Sequence, residues 1–357
     1  MAPIYNFNPG PSILPQEVYQ KTAHAILNYN DTGLSLLELG HRSKEFQPII
    51  EGADRDLRDL LKIPSDYAIL FLGGGASLQF SMVPMNLLPE GSVADYTDTG
   101  TWAAKALKEA KLYGNVNVAC TSKETTYNAI PKNLKLTPGS RYLHITSNNT
   151  IYGTQWKEFP KYDGLMVADM SSDILSRPID VTQFGLIFAG AQKNMGPAGV
   201  CVVIVRKDLA GKSGRKLPAM LDYEQHIKEN SLYNTPPVFA VYVVAETLKW
   251  LKGKGGVEGI QKINERKAGK LYQAIDESNM YKGTVVKEDR SLMNVCFVIG
   301  NEEKEKKFLV EAKEQGLVCL AGHRSVGGFR ASIYNAMPEE GVDALIAFMK
   351  AFEKKNG

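Results

Sequence analysis

Two histidine–arginine pairs stand near opposite ends of the chain. The tetrapeptide Gly-His-Arg-Ser occurs at residues 40–43 and again at 322–325. An arginine presents a planar fork of donors that suits carboxylate or phosphate, and a neighbouring histidine adds a donor whose charge responds to pH near neutrality. His41, Arg42, His323 and Arg324 together would make a receptor for a dianion. Taken singly, each pair also fits ordinary surface polarity.

A second feature is a lone charge in apolar surroundings. In the run LIFAGAQKNMGPAGV (186–200), Lys193 is the only charged residue. Loss of hydration favours the neutral amine, which is a nucleophile able to form a Schiff base with a carbonyl. Alone, it also fits a lysine that snorkels from a turn to solvent. Asp169 closes the apolar run GLMVAD (164–169), at the end of a buried strand where ligands collect in open α/β sheets. It could cap the segment that follows, or face a protonated ring nitrogen. Pyridoxal phosphate needs such a partner, because a positive pyridinium makes the ring an electron sink. The glycines of GGGASLQF (73–80) follow the apolar run AILFL, so backbone and helix N–H groups can approach an anion there. The spacing is neither that of a Walker A loop nor that of a dinucleotide site. Trp102 could stack on a flat ring or simply pack.

These groups need a scaffold to bring them together. The 357 residues suffice for two domains, and the net charge of +3 gives no global field for nucleic acid. The four cysteines are widely spaced, with no metal-binding or disulfide pattern, and Cys201, Cys296 and Cys319 lie in apolar runs that read as core. No secretory signal, membrane span or metal site is expected, and a reducing cytoplasm is the default. Strands are expected over 68–72, 141–146, 164–169, 184–190 and 200–206, alternating with helical patterns. This reads as α/β with a mainly parallel central sheet. A helix over 237–251 ends at the glycine-rich cluster 252–256, read as a boundary. Beyond it come a helix, a strand (292–299), a helix (302–315), strands at 317–321 and 329–334, and a last helix (339–354). The N-terminal NFNPGPSILP is too rich in proline and glycine for a helix, and is expected to pack across this smaller unit. The organisation expected is a large domain over 17–254 and a small α+β domain from 1–16 and 255–357.

Together the motifs resemble the fold type I, class V pyridoxal-phosphate aminotransferases. The residues carrying the resemblance are FNPGPS (7–12), GHRSKEF (40–46), FLGGGAS (71–77), NNTIYGTQ (148–155), VADMSSDILSRPID (167–180), AGAQKNMGPAGV (189–200), YNTPP (233–237) and GHRSVGGFRASIYNAM (322–337). The resemblance implies a large domain with a seven-stranded mixed sheet. It also implies pyridoxal 5'-phosphate on Lys193, with Asp169 at the ring nitrogen, Trp102 on the ring face and Thr150 near the ring oxygen. Ala76, Ser77 and Gln192 would hold the cofactor phosphate, joined by Asn234 and Thr235 of the other subunit of a homodimer. Arg330 would grip the substrate α-carboxylate. The two His-Arg pairs, drawn from both subunits, would take a substrate phosphate. The activity implied is amino transfer between glutamate and 3-phosphohydroxypyruvate, giving 2-oxoglutarate and O-phosphoserine, with side activity on phosphohydroxythreonine. Ser77 stands where some members carry arginine, which leaves more of the anion binding to Arg42 and Arg324.

Overall fold

The computed structural model describes residues 3–357. In chain order, the first part contains β1 (Tyr5–Asn6), α1 (Gln16–Leu27), α2 (Gln47–Leu61), β2 (Tyr67–Leu72), α3 (Gly75–Leu87), β3 (Val93–Asp98), α4 (Thr101–Ala110) and β4 (Asn115–Thr121). Then come β5 (Leu143–Thr146), β6 (Met166–Asp169), β7 (Leu186–Gly190), β8 (Cys201–Arg206), α5 (Tyr223–Lys228) and α6 (Val238–Gly253). The last part holds α7 (Gly256–Asp276), β9 (Lys282–Gly283), β10 (Asn294–Val298), α8 (Glu302–Glu314), β11 (Leu317–Val318), β12 (Phe329–Ser332) and α9 (Glu339–Asn356).

Seven strands form one sheet in the order β2-β8-β7-β6-β5-β3-β4. Only β8 runs against its neighbours, antiparallel to both β2 and β7. Strands β2, β5, β6 and β7 are buried along their whole length, as uniformly apolar runs covered on both faces require. One core cluster joins α2 and α6 to one sheet face, and another packs α3 and α4 against the opposite face. The seven-stranded mixed sheet expected from the sequence is present.

A three-stranded sheet, β12-β10-β9, has a core of its own with α7, α8 and α9, built around Phe297, Phe308, Phe329 and Phe352. The N-terminal segment joins this unit. Strand β1 pairs in parallel with β11, and Phe7 is fully buried in the same cluster. Helices α6 and α7 are separated only by Lys254 and Gly255, with Gly255 at φ 85°, a backbone that glycine adopts without strain.

One expectation fails at the cysteines. Cys319 is exposed, whereas Cys120, Cys201 and Cys296 are buried. The apolar run misleads because β11 stops at Val318. Cys319 takes a left-handed backbone (φ 64°), and the inward position passes to Leu320, 2% exposed.

Candidate active site

A cavity of about 310 Å³ lies at the C-terminal ends of β5 and β6, roofed by Pro9 and Gly10 of the N-terminal segment. Lys193 reaches it from the turn between β7 and β8. That turn is wound around one atom: the Ala191 carbonyl accepts the N–H groups of Lys193 (2.7 Å), Met195 (3.1 Å) and Gly196 (2.8 Å). Ser12 clamps the turn from outside, with its N–H on Gln192 O (2.9 Å) and its hydroxyl on Lys193 O. The Lys193 Nζ donates to Thr150 Oγ1 at 2.7 Å. Burial pulls its pKa down to about 8, while Asp169 pulls the other way.

Asp169 ends β6 and is 5% exposed. Its Oδ1 accepts from Ser171 N at 2.9 Å. Burial raises its pKa, and the Ser171 hydrogen bonds and Lys193 oppose that. Ser147 braces it from behind, its N–H donating to Asp169 O at 3.0 Å and its hydroxyl to Asp173. Arg330 arrives on β12 from the other sheet and donates to Thr150 O at 3.2 Å. Its Nε is buried without a partner, as are Thr146 Oγ1 and Trp102 Nε1. Buried polar atoms of this kind call for a ligand or water.

Ala76, Ser77, Trp102, Gln192 and His323 also line the cavity. Ala76 and Ser77 lie in the first turn of α3, which Gly74 (φ 83°) opens and no side chain caps, so its first N–H groups are available to an anion. His323 Nδ1 accepts the N–H of Ser325 (3.2 Å), which puts the ring proton of neutral His323 on Nε2. Burial, followed by the charges of Arg330 and Arg324, lowers its pKa.

His41, Arg42, Asn234, Thr235 and Arg324 do not line the cavity of this chain. Four of them form a separate surface group. His41 Nδ1 meets Thr235 Oγ1 at 3.0 Å, Arg42 donates to Leu232 O at 3.3 Å, and Asn234 adjoins Thr235. The cavity also recruits Gly10, Phe80, Asn148, Ser171 and Ser172, which the sequence reading did not single out. The two serines directly follow Asp169 and Met170, so the loop after the carboxylate was the available signal.

A pyridine ring carrying a phosphate and an aldehyde fits this donor set. There is an amine for the aldehyde and a carboxylate for the ring nitrogen. Trp102 in the cavity lining could take the ring face, and the uncapped N–H groups of α3 could take the phosphate. Among the described residues, no cluster of His, Cys, Asp and Glu could hold a metal ion. No helix among them is long and apolar enough to cross a membrane.

The sequence profile of the family described as aminotransferase class-V matches residues 4–345. The phosphoserine aminotransferase of Geobacillus kaustophilus (strain HTA426) is 55% identical over 354 residues, covering 98% of each chain. A solved phosphoserine aminotransferase, studied for radiation damage of its Schiff base, superposes with a TM-score of 0.98 at 53% identity, covering 99% of this chain and 100% of that one. The phosphoserine aminotransferase of Bacillus circulans subsp. alkalophilus gives a TM-score of 0.97 at 50% identity, covering 99% of both.

Proposed function

Because the chain belongs to the class V aminotransferase family, we propose that it transfers an amino group reversibly between L-glutamate and 3-phosphohydroxypyruvate, giving 2-oxoglutarate and O-phospho-L-serine. The observation that carries this reading is the meeting of Lys193, Asp169 and Arg330 at one cavity, in a chain more than half identical to phosphoserine aminotransferases over nearly its whole length. The product belongs to serine biosynthesis. The same anion receptor would take 4-phosphohydroxythreonine.

The cofactor is pyridoxal 5'-phosphate, and in this reading Lys193 holds its aldehyde. Asp169 faces its ring nitrogen, Trp102 its ring face and Thr150 its ring oxygen. Ala76, Ser77 and Gln192 hold its phosphate, with Asn234 and Thr235 supplied by the partner. When bound, the cofactor supplies an electron sink for the pair left as the substrate Cα–H bond breaks. The chain's residues do the rest. Arg330 clamps the α-carboxylate with a bidentate fork and so aims the Cα–H bond. Once the substrate's amino group has displaced it from the aldehyde, Lys193 Nζ would take the proton from Cα as general base, and deliver one to the Cα of the second substrate as general acid. Asp169 keeps its negative charge where the ring needs it. The two half-reactions use one site in turn, so kinetics are ping-pong.

At the far end of the substrate, His323 and Arg324 meet the partner's His41 and Arg42. A phosphate near −2 and a glutamate side-chain carboxylate can use the same four donors. The homodimer is supported by where the first His-Arg pair lies. His41 and Arg42 do not line their own chain's cavity, and exposed apolar side chains lie nearby in sequence (Leu34, Leu37, Tyr233). A cytoplasmic setting accords with four free cysteines. Two separate cores support two units, a large domain over 17–254 and a small one from 1–16 and 255–357, with Val257 and Ile260 of α7 reaching back into the core of the large one.

The test is a transamination assay with O-phosphoserine and serine side by side, 2-oxoglutarate accepting. O-Phosphoserine should be preferred by at least about a hundredfold in kcat/KM, since a receptor of paired donors left without its anion opposes the unphosphorylated substrate. Equal values for the two would overturn the reading.

A further inference from the structure

Lys267 is a fully buried lysine that the mechanism does not use; burial pulls its pKa down to about 7, and the charge of Glu339 opposes that. Lys267 sits on α7, is 0% exposed, and points its Nζ into the turn that follows β12. Four main-chain carbonyls surround it: Tyr334 O at 2.8 Å, Met337 O at 3.0 Å, Ile333 O at 3.1 Å and Asn335 O at 3.4 Å. Among the described residues no carboxylate forms an ion pair with it. Glu339 pairs with Arg266 and Lys270 instead. A buried ammonium is costly unless its protons are used, and here all three have carbonyl acceptors. A neutral amine would turn its lone pair toward one of those oxygens. The arrangement is that of a small cation ringed by carbonyl dipoles, as in sites that strip potassium of its water.

The caged turn touches the active site from several sides. Arg330 lies on the strand leading into it. The Tyr334 hydroxyl donates to Pro9 O at 2.6 Å, holding the roof of the cavity. Asn335 N donates to Asn194 Oδ1 at 3.0 Å, next to Lys193. Its side chain donates to Leu175 O at 2.9 Å, in the segment following Asp169.

We propose that Lys267 is a tethered monovalent cation: its ammonium gathers the carbonyls of the 333–337 turn and thereby positions Arg330 against the Lys193 turn. The positioning part rests on the α-carboxylate role proposed for Arg330. Lys267 touches no reacting atom and is a positioning residue.

The experiment compares Lys267→Ala and Lys267→Met in sodium, potassium and ammonium chloride. Ammonium and potassium ions are close in size, so either can enter the space that alanine leaves. In sodium, Lys267→Ala should melt lower than wild type and raise KM for L-glutamate and O-phosphoserine alike, by about tenfold, with a smaller loss in kcat. Ammonium or potassium should restore both melting temperature and KM along a saturable curve that wild type lacks. Lys267→Met fills the space without donors and should not respond. A fall in melting temperature with unchanged KM in either variant would reduce Lys267 to a structural role. Equal behaviour of Lys267→Ala in the three salts would remove the cation claim. If Lys267→Ala fails to fold in sodium, recovery on refolding in ammonium upholds the proposal, and recovery in neither salt overturns it. A wild-type chain inert toward O-phosphoserine would sink the role of Arg330, while the salt dependence of melting would still decide the cage.

Discussion

Lys193 and Arg330 meet on a single residue: Thr150 accepts the amine on its hydroxyl at 2.7 Å and the guanidinium on its carbonyl at 3.2 Å. The proposed proton-moving group and the proposed carboxylate clamp come from different sheets, and Thr150 bonds both. Thr150→Val keeps the carbonyl and removes the hydroxyl. It should lower kcat about tenfold, with substrate KM values changed less, because aim at Cα is lost while the clamp remains. Thr150→Ser should restore most of the rate. Steady-state kinetics on the three proteins would reveal whether KM moves instead.

Every substrate of the proposed reaction carries an α-carboxylate, but only one pair carries phosphate. Arg330→Lys replaces a fork by a point charge and should reduce kcat/KM by about a hundredfold for glutamate and O-phosphoserine equally. Arg42→Ala should raise KM for the phosphorylated substrate more than for glutamate. Equal effects of Arg42→Ala on both would refute its selective role.

Sharing of residues between subunits can be tested by mixing. Lys193→Ala should be inactive, and Arg42→Ala nearly so when assayed at O-phosphoserine concentrations well below its raised KM. After subunit exchange, half of the dimers would be mixed, each with one complete site, so about a quarter of wild-type activity should return. Sites confined to one chain would return none.

The pKa of Lys193 near 8 has a kinetic consequence. Below that value the amine is protonated and cannot attack an aldehyde. Uptake of pyridoxal phosphate by cofactor-free protein should therefore quicken as pH rises toward about 8, then level off. Stopped-flow absorbance would follow it, and a rise continuing toward pH 10 would contradict the burial argument. Stability follows the same displacement. Between about 8 and the ordinary lysine value the unfolded chain binds this proton and the fold does not, so the cofactor-free fold should gain stability as pH rises through that window.

Thiol chemistry gives an independent check of the core. Burial pushes Cys120 and Cys296 up to about 12 and raises Cys201 as well, whereas Cys319 is exposed. An aromatic disulfide reagent should titrate one thiol in the native protein and four after denaturation.

Much of this architecture was legible because the decisive residues were out of character with their neighbours. Lys193 was a lone charge in an apolar run, and Asp169 a carboxylate ending a buried strand. The largely buried strands β2, β6, β7 and β8 announced themselves by their apolar runs. Strands β3 and β4 did not, since β3 carries Asp95 and Thr97 inward and β4 lies at the sheet edge with mixed exposure. What sequence could not reveal were contacts between distant segments. Ser12 reaches Lys193 across 181 positions and Asn335 reaches Asn194 across 141. Such partners are polar residues of ordinary type, and only the folded backbone makes them neighbours.

The parallel pairing of β1 with β11 imposes an order on biosynthesis. Strand β1 finds its partner only at Leu317 and Val318, 312 positions further along from Tyr5 to Leu317, so it stays unpaired while the intervening chain is made. Pro9 and Gly10 travel with β1, so the nascent chain carries an unroofed pocket until β11 has been made. Vitamin capture should accordingly wait for that strand.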